Sequence, residues 1–301
     1  MPGVKMHDDE FEIDADLVSR LLARQFPRWA HLPLNPVASA GTDNALFRLG
    51  DQMVVRLPRI QWAVESVNKE QEWLPHLAPV LPFAIPTPLG LGEPDEGYPW
   101  RWSVYEWLDG NNPVPNKIVD PISLAKDLAH FVTALRKVDT SGAPLAGRGV
   151  PLQERDTDTR AAIVALTGMI DSSAVTNTWE SALAVPMWSG PPVWIHGDIS
   201  PGNILIVDGT LNAVIDFGVL GIGDPACDLI VAWNLLPANA RVVFRSESQV
   251  DDFTWKRGRG WALSIALIQL PYYFQTSPDI AENARHVISE VLSDTLSTEP
   301  T

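Results

Sequence analysis

The feature that most constrains the fold lies between Pro191 and Gly218, where three short apolar runs are separated by polar residues. The runs are PPVWIHGD, NILIV and LNAVIDFG, and an Asp208-Gly209 turn separates the last two. Short apolar runs bounded by turn residues are typical of buried β-strands. We therefore predict strands here. Polar side chains follow at the strand ends, namely His196, Asp198, Asn203 and Asp216.

These polar residues have the chemistry that phosphoryl transfer requires. The reaction needs an acceptor hydroxyl aligned with the terminal phosphorus and oxygen ligands that hold Mg²⁺ against the phosphates. We expect Asp198 to orient the hydroxyl and receive its proton, and Asn203 and Asp216 to supply hard oxygen ligands to Mg²⁺. His196 is expected to brace the loop by hydrogen bonding.

The first third of the chain reads as a small β-rich region. A helix is predicted around residues 14–25, and β-rich runs on either side of Gly50-Asp51 indicate a hairpin within residues 38–58. A second helix is expected around Glu70. The proline-rich stretch 75–99 is expected to be irregular, and the run Trp100–Leu108 to form a strand.

The remainder of the chain reads as mainly helical. Asp120-Pro121 supplies an N-cap and a first-turn proline for a long core helix. A Gly/Pro-rich loop is expected at 142–151, and the C-terminal third returns to helix. We place the lobe boundary after Leu108, which gives an N-terminal nucleotide-binding lobe, 1–108, and a C-terminal catalytic and acceptor-binding lobe, 109–301.

Composition excludes several classes of function. The net charge of −15 disfavours nucleic acid and anionic membranes as partners. Cys227 is the single cysteine and the histidines are scattered, so neither a disulfide nor a zinc cluster is expected. The chain lacks a GxxxxGK[ST] phosphate loop, an apolar leader and an apolar run of about 18 residues. We expect a cytoplasmic protein.

The motif HGDISPGN, which contains Pro201, is followed further along the chain by IDFG. Together they resemble the catalytic and metal-binding motifs of the aminoglycoside phosphotransferase family, whose members are protein-kinase-like small-molecule kinases. The stretch GDPACDL resembles the family's segment after the metal-binding aspartate, which implies that Asp228 supports the catalytic loop. The turn SAGTDN resembles the phosphate-covering loop, with Gly41, Thr42 and Asn44 near the phosphates. The resemblance implies an α+β, two-lobed fold with a small β-rich N-lobe and a larger, mainly helical C-lobe.

The same resemblance assigns the nucleotide site. Nucleotide is expected between the lobes, with ATP as the default co-substrate and GTP as the alternative, and the strand of Ser103, Tyr105 and Trp107 would offer backbone groups to the purine. Glu70 resembles the helix glutamate that pairs with a strand cation. That cation is Arg56 here instead of lysine, with Arg59 as an alternative and Lys69 a poorer one. An arginine fork differs from a lysine's point charge, which leaves a nucleotide-binding pseudokinase as an alternative.

The acceptor is expected to be a hydroxyl of a small molecule. Acidity and resemblance together favour a cationic, aminoglycoside-like antibiotic, with a macrolide or a choline-like amino alcohol as alternatives. Candidate wall residues lie in the C-terminal half and are Asp224, Asp251, Asp252 and Trp255.

Overall fold

A computed structural model describes residues 10–37 and 43–298, with side chains of the last helix as far as Asp294. Gly41 and Thr42, expected near the phosphates, lie outside the described residues. The chain divides into two compact units. The first contains the described residues up to Asn111 and Asn212–Gly218, and the second contains Asn112–Leu211 and the described residues from Val219 onward. The lobe boundary after Leu108 stays a prediction.

The first unit is built on an antiparallel sheet of five strands in the order β1-β2-β3-β5-β4. The strands are β1 (Leu34–Pro36), β2 (Asn44–Leu49), β3 (Met53–Pro58), β4 (Pro88–Gly92) and β5 (Trp102–Glu106). The hairpin predicted at Gly50-Asp51 is confirmed as the β2–β3 connection, and Gly50 adopts a φ of 58° there.

Two helices accompany this sheet, α1 (Ala15–Gln25) and α2 (Val64–Leu77). Asp14 caps α1 by accepting a hydrogen bond from the backbone N–H of Leu17 at 2.8 Å, so the predicted first helix is confirmed. The buried face of α1 packs on the sheet in one apolar cluster. Its largest members are Phe47, Tyr98 and Trp102.

The expectation of an irregular stretch from 75 to 99 is wrong in part, because β4 lies within it. The strand begins at Pro88 and forms the edge of the sheet next to β5. An edge position tolerates a proline at the start of a strand, since the missing N–H is not needed by a second neighbour.

The second unit is mainly helical, as expected for the C-terminal part. Its helices are α3 (Pro121–Leu135), α4 (Asp156–Ala165), α5 (Ser172–Leu183), α6 (Val231–Asn234), α7 (Ala238–Glu247), α8 (Asp252–Tyr273) and α9 (Pro278–Thr298). The predicted start of α3 is confirmed, with Asp120 as its N-cap and Pro121 in its first turn. Short 3₁₀ helices span Leu152–Arg155, Pro201–Asn203 and Pro225–Ile230.

The predicted short strands around the polar motif are also present. They are β6 (Val193–Ile195), β7 (Ile204–Val207) and β8 (Thr210–Val214), and a fourth short strand that was not predicted, β9 (Gly221–Gly223), follows them. β6 pairs with β9 in antiparallel register, and β7 and β8 form a hairpin. These pairings fix both ends of the loop between β6 and β7, which carries Asp198.

Helix α8 approaches the 3₁₀ helix Pro225–Ile230 closely because residue 258 is a glycine. A β-carbon at Gly258 would lie 2.7 Å from the β-carbon of Leu229 and 3.0 Å from the carbonyl oxygen of Ala226. The glycine, costly inside an isolated helix, is therefore required by packing. Through this contact α8 supports the segment that carries Asp228.

Candidate active site

The first unit contains a charged cluster centred on Arg56 of β3. Its Nη1 lies 2.6 Å from each carboxylate oxygen of Glu70 on α2, and its Nη2 donates to Oδ1 of Asp216 at 3.0 Å. Glu70 is 1% exposed and the Arg56 side chain 13% exposed. The sequence therefore identified the partner of Glu70 correctly as Arg56, and the structure adds Asp216 as a second partner.

Two further polar residues complete this cluster. The hydroxyl of Tyr105 donates to Glu70 Oε2 at 2.5 Å. The amide oxygen of Asn44, in the orientation that gives both amide atoms partners, accepts from Nη2 and Nε of Arg56 at 3.0 and 3.2 Å. Burial alone would lower the pKa of Arg56, but the charges of Glu70 and Asp216 hold it above its usual value. Arg56 therefore carries a permanent, directed positive charge.

The backbone groups of β5 are used within the sheet. Ser103 and Tyr105 are paired with β3 on one side and with β4 on the other. The backbone N–H of Trp107 donates to the carbonyl oxygen of Gln52 at 2.8 Å. The part of Ser103, Tyr105 and Trp107 in purine binding stays a prediction. The side chain of Ser103 accepts from Gln71 Nε2 at 2.9 Å.

Asp216 stands in an unusual backbone conformation. It follows β8 with a φ of 63°, in the left-handed region that non-glycine residues seldom adopt. Its side chain is 45% exposed, in contrast to the buried Glu70. The Asp216 carboxylate is thus held by Arg56 at one oxygen and is accessible to solvent.

The neighbouring Lys69 is only a weak partner of this segment: its Nζ lies 3.4 Å from the carbonyl oxygen of Gly218, and burial lowers the pKa of Lys69.

In the second unit, the side chain of Asp228 holds the loop between β6 and β7 through the backbone N–H groups of that loop. Its carboxylate accepts from the backbone N–H of His196 at 2.9 Å and of Gly197 at 2.7 Å. Gly197 has a φ of 82°, which lets both N–H groups face one carboxylate. Asp228 is fully buried, and burial raises its pKa against the opposing effects of His196 and these hydrogen bonds.

Asp198 follows directly and is held by three neighbours. The amide of Asn203 donates to the Asp198 backbone oxygen at 2.9 Å and to its Oδ2 at 3.2 Å. The backbone N–H of Asp198 donates to Nδ1 of His196 at 3.2 Å. Arg148 makes a short contact with Asp198 Oδ1 and donates to the Gly197 carbonyl oxygen at 3.1 Å. The carboxylate is 30% exposed and has a defined direction.

The expected acceptor-wall residues have partners within the second unit. Asp224 forms a buried, two-pronged ion pair with Arg257, at 2.7 and 3.2 Å. Asp251 caps α8 through the Thr254 N–H at 2.6 Å. Asp252 pairs with Arg245 at 2.6 Å, and Trp255 is buried against Trp233. Their part in acceptor binding stays a prediction.

Sequence analysis missed Arg148, which approaches Asp198 from the Gly/Pro-rich loop. The residue lies 50 positions before Asp198 in a loop that carries no motif. Cys227, in contrast, is buried as expected, with its Sγ 3.7 Å from the Gly197 carbonyl oxygen. Burial raises the pKa of Cys227 well above the ordinary thiol value, which fits an inert side chain.

Comparison with known proteins decides the family. The model of the phosphotransferase enzyme family matches residues 36–261, which is more than half of the chain. The chain belongs to this family. The aminoglycoside 3'-phosphotransferase of Escherichia coli is 43% identical over 58 residues, which make up 19% of this chain and 21% of that protein. The match therefore spans about a fifth of that relative. The family match over residues 36–261 confirms the predicted family membership.

Solved structures of other phosphotransferases share the fold. The GDP complex of wild-type aminoglycoside 2'-phosphotransferase-IIIa has a TM-score of 0.76 and 19% identity, over 94% of this chain and 100% of that one. The macrolide 2'-phosphotransferase of Brachybacterium faecium has a TM-score of 0.63 and 23% identity, over 91% and 97%. The predicted fold class is confirmed. These two neighbours act on different antibiotics, so the fold alone does not choose an acceptor.

Two properties of the described residues concern metals and membranes. Within residues 10–37 and 43–298, no group of three or more His, Cys, Asp and Glu side chains is arranged to hold a metal ion. None of the helices in that part of the chain is long and apolar enough to cross a membrane.

Proposed function

We propose that this chain transfers the terminal phosphate of a nucleoside triphosphate to a hydroxyl group of a small molecule. The observation that carries the proposal is the fixed, solvent-accessible carboxylate of Asp198, on a loop held by the buried Asp228. Hydrogen bonds from Asn203 and Arg148 direct this carboxylate. A carboxylate so held can orient an acceptor hydroxyl and receive its proton.

The bond changes balance as follows. The acceptor oxygen forms a bond to the terminal phosphorus while the bond from that phosphorus to the bridging oxygen of the nucleotide breaks. The proton of the hydroxyl passes to Asp198, and the nucleoside diphosphate leaves with the bridging oxygen. Asn203 donates to Asp198 through its amide nitrogen, which leaves its carbonyl oxygen as the group suited to a cation.

Mg²⁺ fits the residue types proposed for it. Asn203 and Asp216 offer hard oxygen atoms, and Mg²⁺ is commonly bound by one or two protein oxygens together with phosphates and water. When bound, the ion would neutralise charge on the phosphate oxygens. Arg56 holds one oxygen of Asp216 and so positions the other.

The nucleotide assignment rests on the first unit. Arg56 presents a permanent positive charge beside Asp216, and we propose it as the residue that contacts the phosphates. The backbone of Ser103, Tyr105 and Trp107, in and directly after β5, is proposed for the purine. One structural neighbour is a GDP complex and another is ADP-bound, which leaves ATP and GTP as candidate co-substrates.

The acceptor is proposed to be an antibiotic-like alcohol. Among the structural neighbours, one is a kanamycin complex and another a macrolide phosphotransferase. Aminoglycoside-like compounds remain the expectation from acidity and family, and macrolides and amino alcohols the alternatives. A panel that holds members of each class, together with neutral sugars, covers these candidates.

The test is nucleotide consumption with ATP and with GTP across this panel, in Mg²⁺ and in a chelator, with mass spectrometry of the acceptor. We expect Mg²⁺-dependent diphosphate release and one added phosphate on at least one acceptor. Asp198→Asn should abolish both. Asp208→Asn, in the exposed β7–β8 turn, is the matched control and should retain both. Nucleotide binding without transfer to any acceptor would favour the pseudokinase alternative.

A further inference from the structure

The loop that carries Asp198 is held at a second point, by the side chain of Asn234. Asn234 is the last residue of α6, and its Nδ2 donates to the backbone carbonyl oxygen of Ile199 at 3.0 Å. Ile199 follows Asp198 directly, and both Ile199 and Asn234 are buried. The carbonyl group that comes after the proposed base therefore has a fixed direction.

Asn234 and Asp228 belong to one continuous segment, because α6 begins where the 3₁₀ helix Pro225–Ile230 ends. Asp228 holds the two backbone N–H groups that precede Asp198, and Asn234 holds the carbonyl oxygen of Ile199 that follows it. Asp198 thus lies between two points that the same segment fixes. A residue restrained on both sides has few backbone conformations left.

The other half of the Asn234 amide is unusual. Within the described part of the chain, no donor contacts its Oδ1, although the side chain is only 6% exposed. The orientation of the amide follows from its contact, because only the NH₂ group can face the carbonyl oxygen of Ile199. A leucine of similar shape would leave that carbonyl oxygen without its amide donor instead of Oδ1. Asparagine at this position therefore fixes the loop without an evident gain in stability.

We propose that Asn234 is a positioning residue for the transfer reaction: its amide fixes the backbone after Asp198 and with it the direction of the proposed base. The proposal rests on the proposed function, and it adds a residue that acts only through the loop. A misplacement of about 1 Å can lower turnover about 10²-fold, because proton transfer depends on the geometry of base and hydroxyl. The proposed nucleotide contacts lie in the first unit and should not respond.

The test replaces Asn234 by leucine in the full chain. The melting temperature reports stability, calorimetric titration reports nucleotide affinity, and diphosphate release with the best acceptor of the panel reports turnover. We expect the melting temperature to stay within about 4 °C of the parent and the nucleotide affinity within about twofold. The kcat should fall by roughly 10- to 100-fold. A merely structural residue would instead lower the melting temperature and leave kcat of the folded protein unchanged.

Hydrogen exchange tests the same contact without turnover. The backbone N–H groups of residues 198–203 should exchange at least about threefold faster in Asn234→Leu than in the parent. Asn283→Leu is the matched control, since Asn283 on α9 also has a buried amide oxygen that no donor contacts among the described residues. This variant should leave both the exchange of the loop and kcat unaltered.

Unchanged kcat or unchanged loop exchange in Asn234→Leu would overturn the inference, and so would a loss of nucleotide affinity as large as the loss of kcat. If Asn234→Leu does not fold, Asn234→Ala removes the same donor without adding volume and is judged by the same results. Failure of the proposed function is distinct, since the parent itself would then transfer phosphate to no acceptor of the panel, while hydrogen exchange would still report whether Asn234 holds the loop.

Discussion

The two units hold their functional carboxylates in different ways. In the first unit, side chains hold side chains: Arg56 joins the buried Glu70 to the accessible Asp216. In the second, a buried side chain holds the backbone: Asp228 accepts from two consecutive N–H groups, and Asp198 is presented by the loop so fixed. Charge neutralisation thus dominates one cluster and backbone geometry the other.

This difference predicts which property each substitution changes. A change in the Arg56 cluster leaves a charge unbalanced, so it should alter stability and nucleotide binding. A change at Asp198 removes a group that acts on the acceptor, so it should alter turnover with little effect on nucleotide affinity. The predictions below test whether the two clusters are separable in this way.

The largest effect is expected for Asp198→Asn. An amide keeps the shape of the side chain but does not accept a proton from the acceptor, so kcat should fall by roughly 10²- to 10⁴-fold. Nucleotide affinity should stay within about threefold, because the proposed phosphate contacts lie in the other cluster. Steady-state kinetics and calorimetric titration of the nucleotide measure the two quantities. A variant that loses nucleotide affinity as strongly as turnover would contradict the separation.

Glu70→Gln comes next and should act mainly on stability. Removing one partner of a buried ion pair leaves the charge of Arg56 less compensated, and such changes cost about 3 to 5 kcal/mol of unfolding free energy. We expect the lower end, since Asp216 and Asn44 still contact Arg56. Urea unfolding of Glu70→Gln, Arg56→Met and the double variant completes the cycle. If the double variant costs as much as the two single changes together, the pair is not coupled.

Asp228→Asn tests the backbone-based arrangement. The amide NH₂ would face one of the two N–H groups that the carboxylate accepts, at a cost of about 1 to 3 kcal/mol. Burial raises the pKa of Asp228 in the folded protein above the ordinary value of 3.8, so ionisation of this group opposes folding. The parent therefore loses stability as the pH rises from the unfolded pKa to the folded pKa. The cost of the substitution should therefore shrink as pH rises, which urea unfolding at several pH values measures. A cost that grows with pH would contradict the sign of this shift.

Whether a site residue could be predicted from the sequence depends on whether a local motif marks it or only a partner far away along the chain. Asp198, Asn203 and Asp216 were named because local motifs and short strands mark them, and Arg56 and Glu70 because their order along the chain matched a known family. The side-chain partners that no motif marks could not be predicted from the sequence.

Arg148 and the Asp224–Arg257 pair show why. They join residues that lie 50 and 33 positions apart, and only the packing of α8 and the Gly/Pro-rich loop brings the partners together. The net charge does not by itself identify the acceptor, because it averages over the whole surface while the ligand meets only the local charges. The sequence pattern likewise failed to predict β4, because its one proline, Pro88, is tolerated at a sheet edge.

The smallest effect is expected for Arg56→Lys, which restores the residue type usual in kinases. Lysine keeps the charge beside Glu70 but lacks the planar fork that reaches Asp216 and Asn44 at the same time. Mg²⁺-dependent nucleotide affinity should therefore change by less than about tenfold, whereas Arg56→Met, which removes the charge, should lose more. Calorimetric titration of ATP and GTP with and without Mg²⁺ measures both variants.

Arg59→Met provides the matched control for this comparison. Arg59 follows β3 directly and lies 3.6 Å from Glu10, away from the Arg56 cluster, and it was the alternative phosphate contact. Because its charge has no contact with Asp216 among those observed, its loss should leave Mg²⁺-dependent affinity close to that of the parent. A larger loss in Arg59→Met than in Arg56→Met would move the phosphate contact to Arg59 and reduce Arg56 to a brace between Glu70 and Asp216. In that case the first cluster would stabilise its unit without touching the nucleotide, and the two units would differ in role as well as in the way they hold their carboxylates.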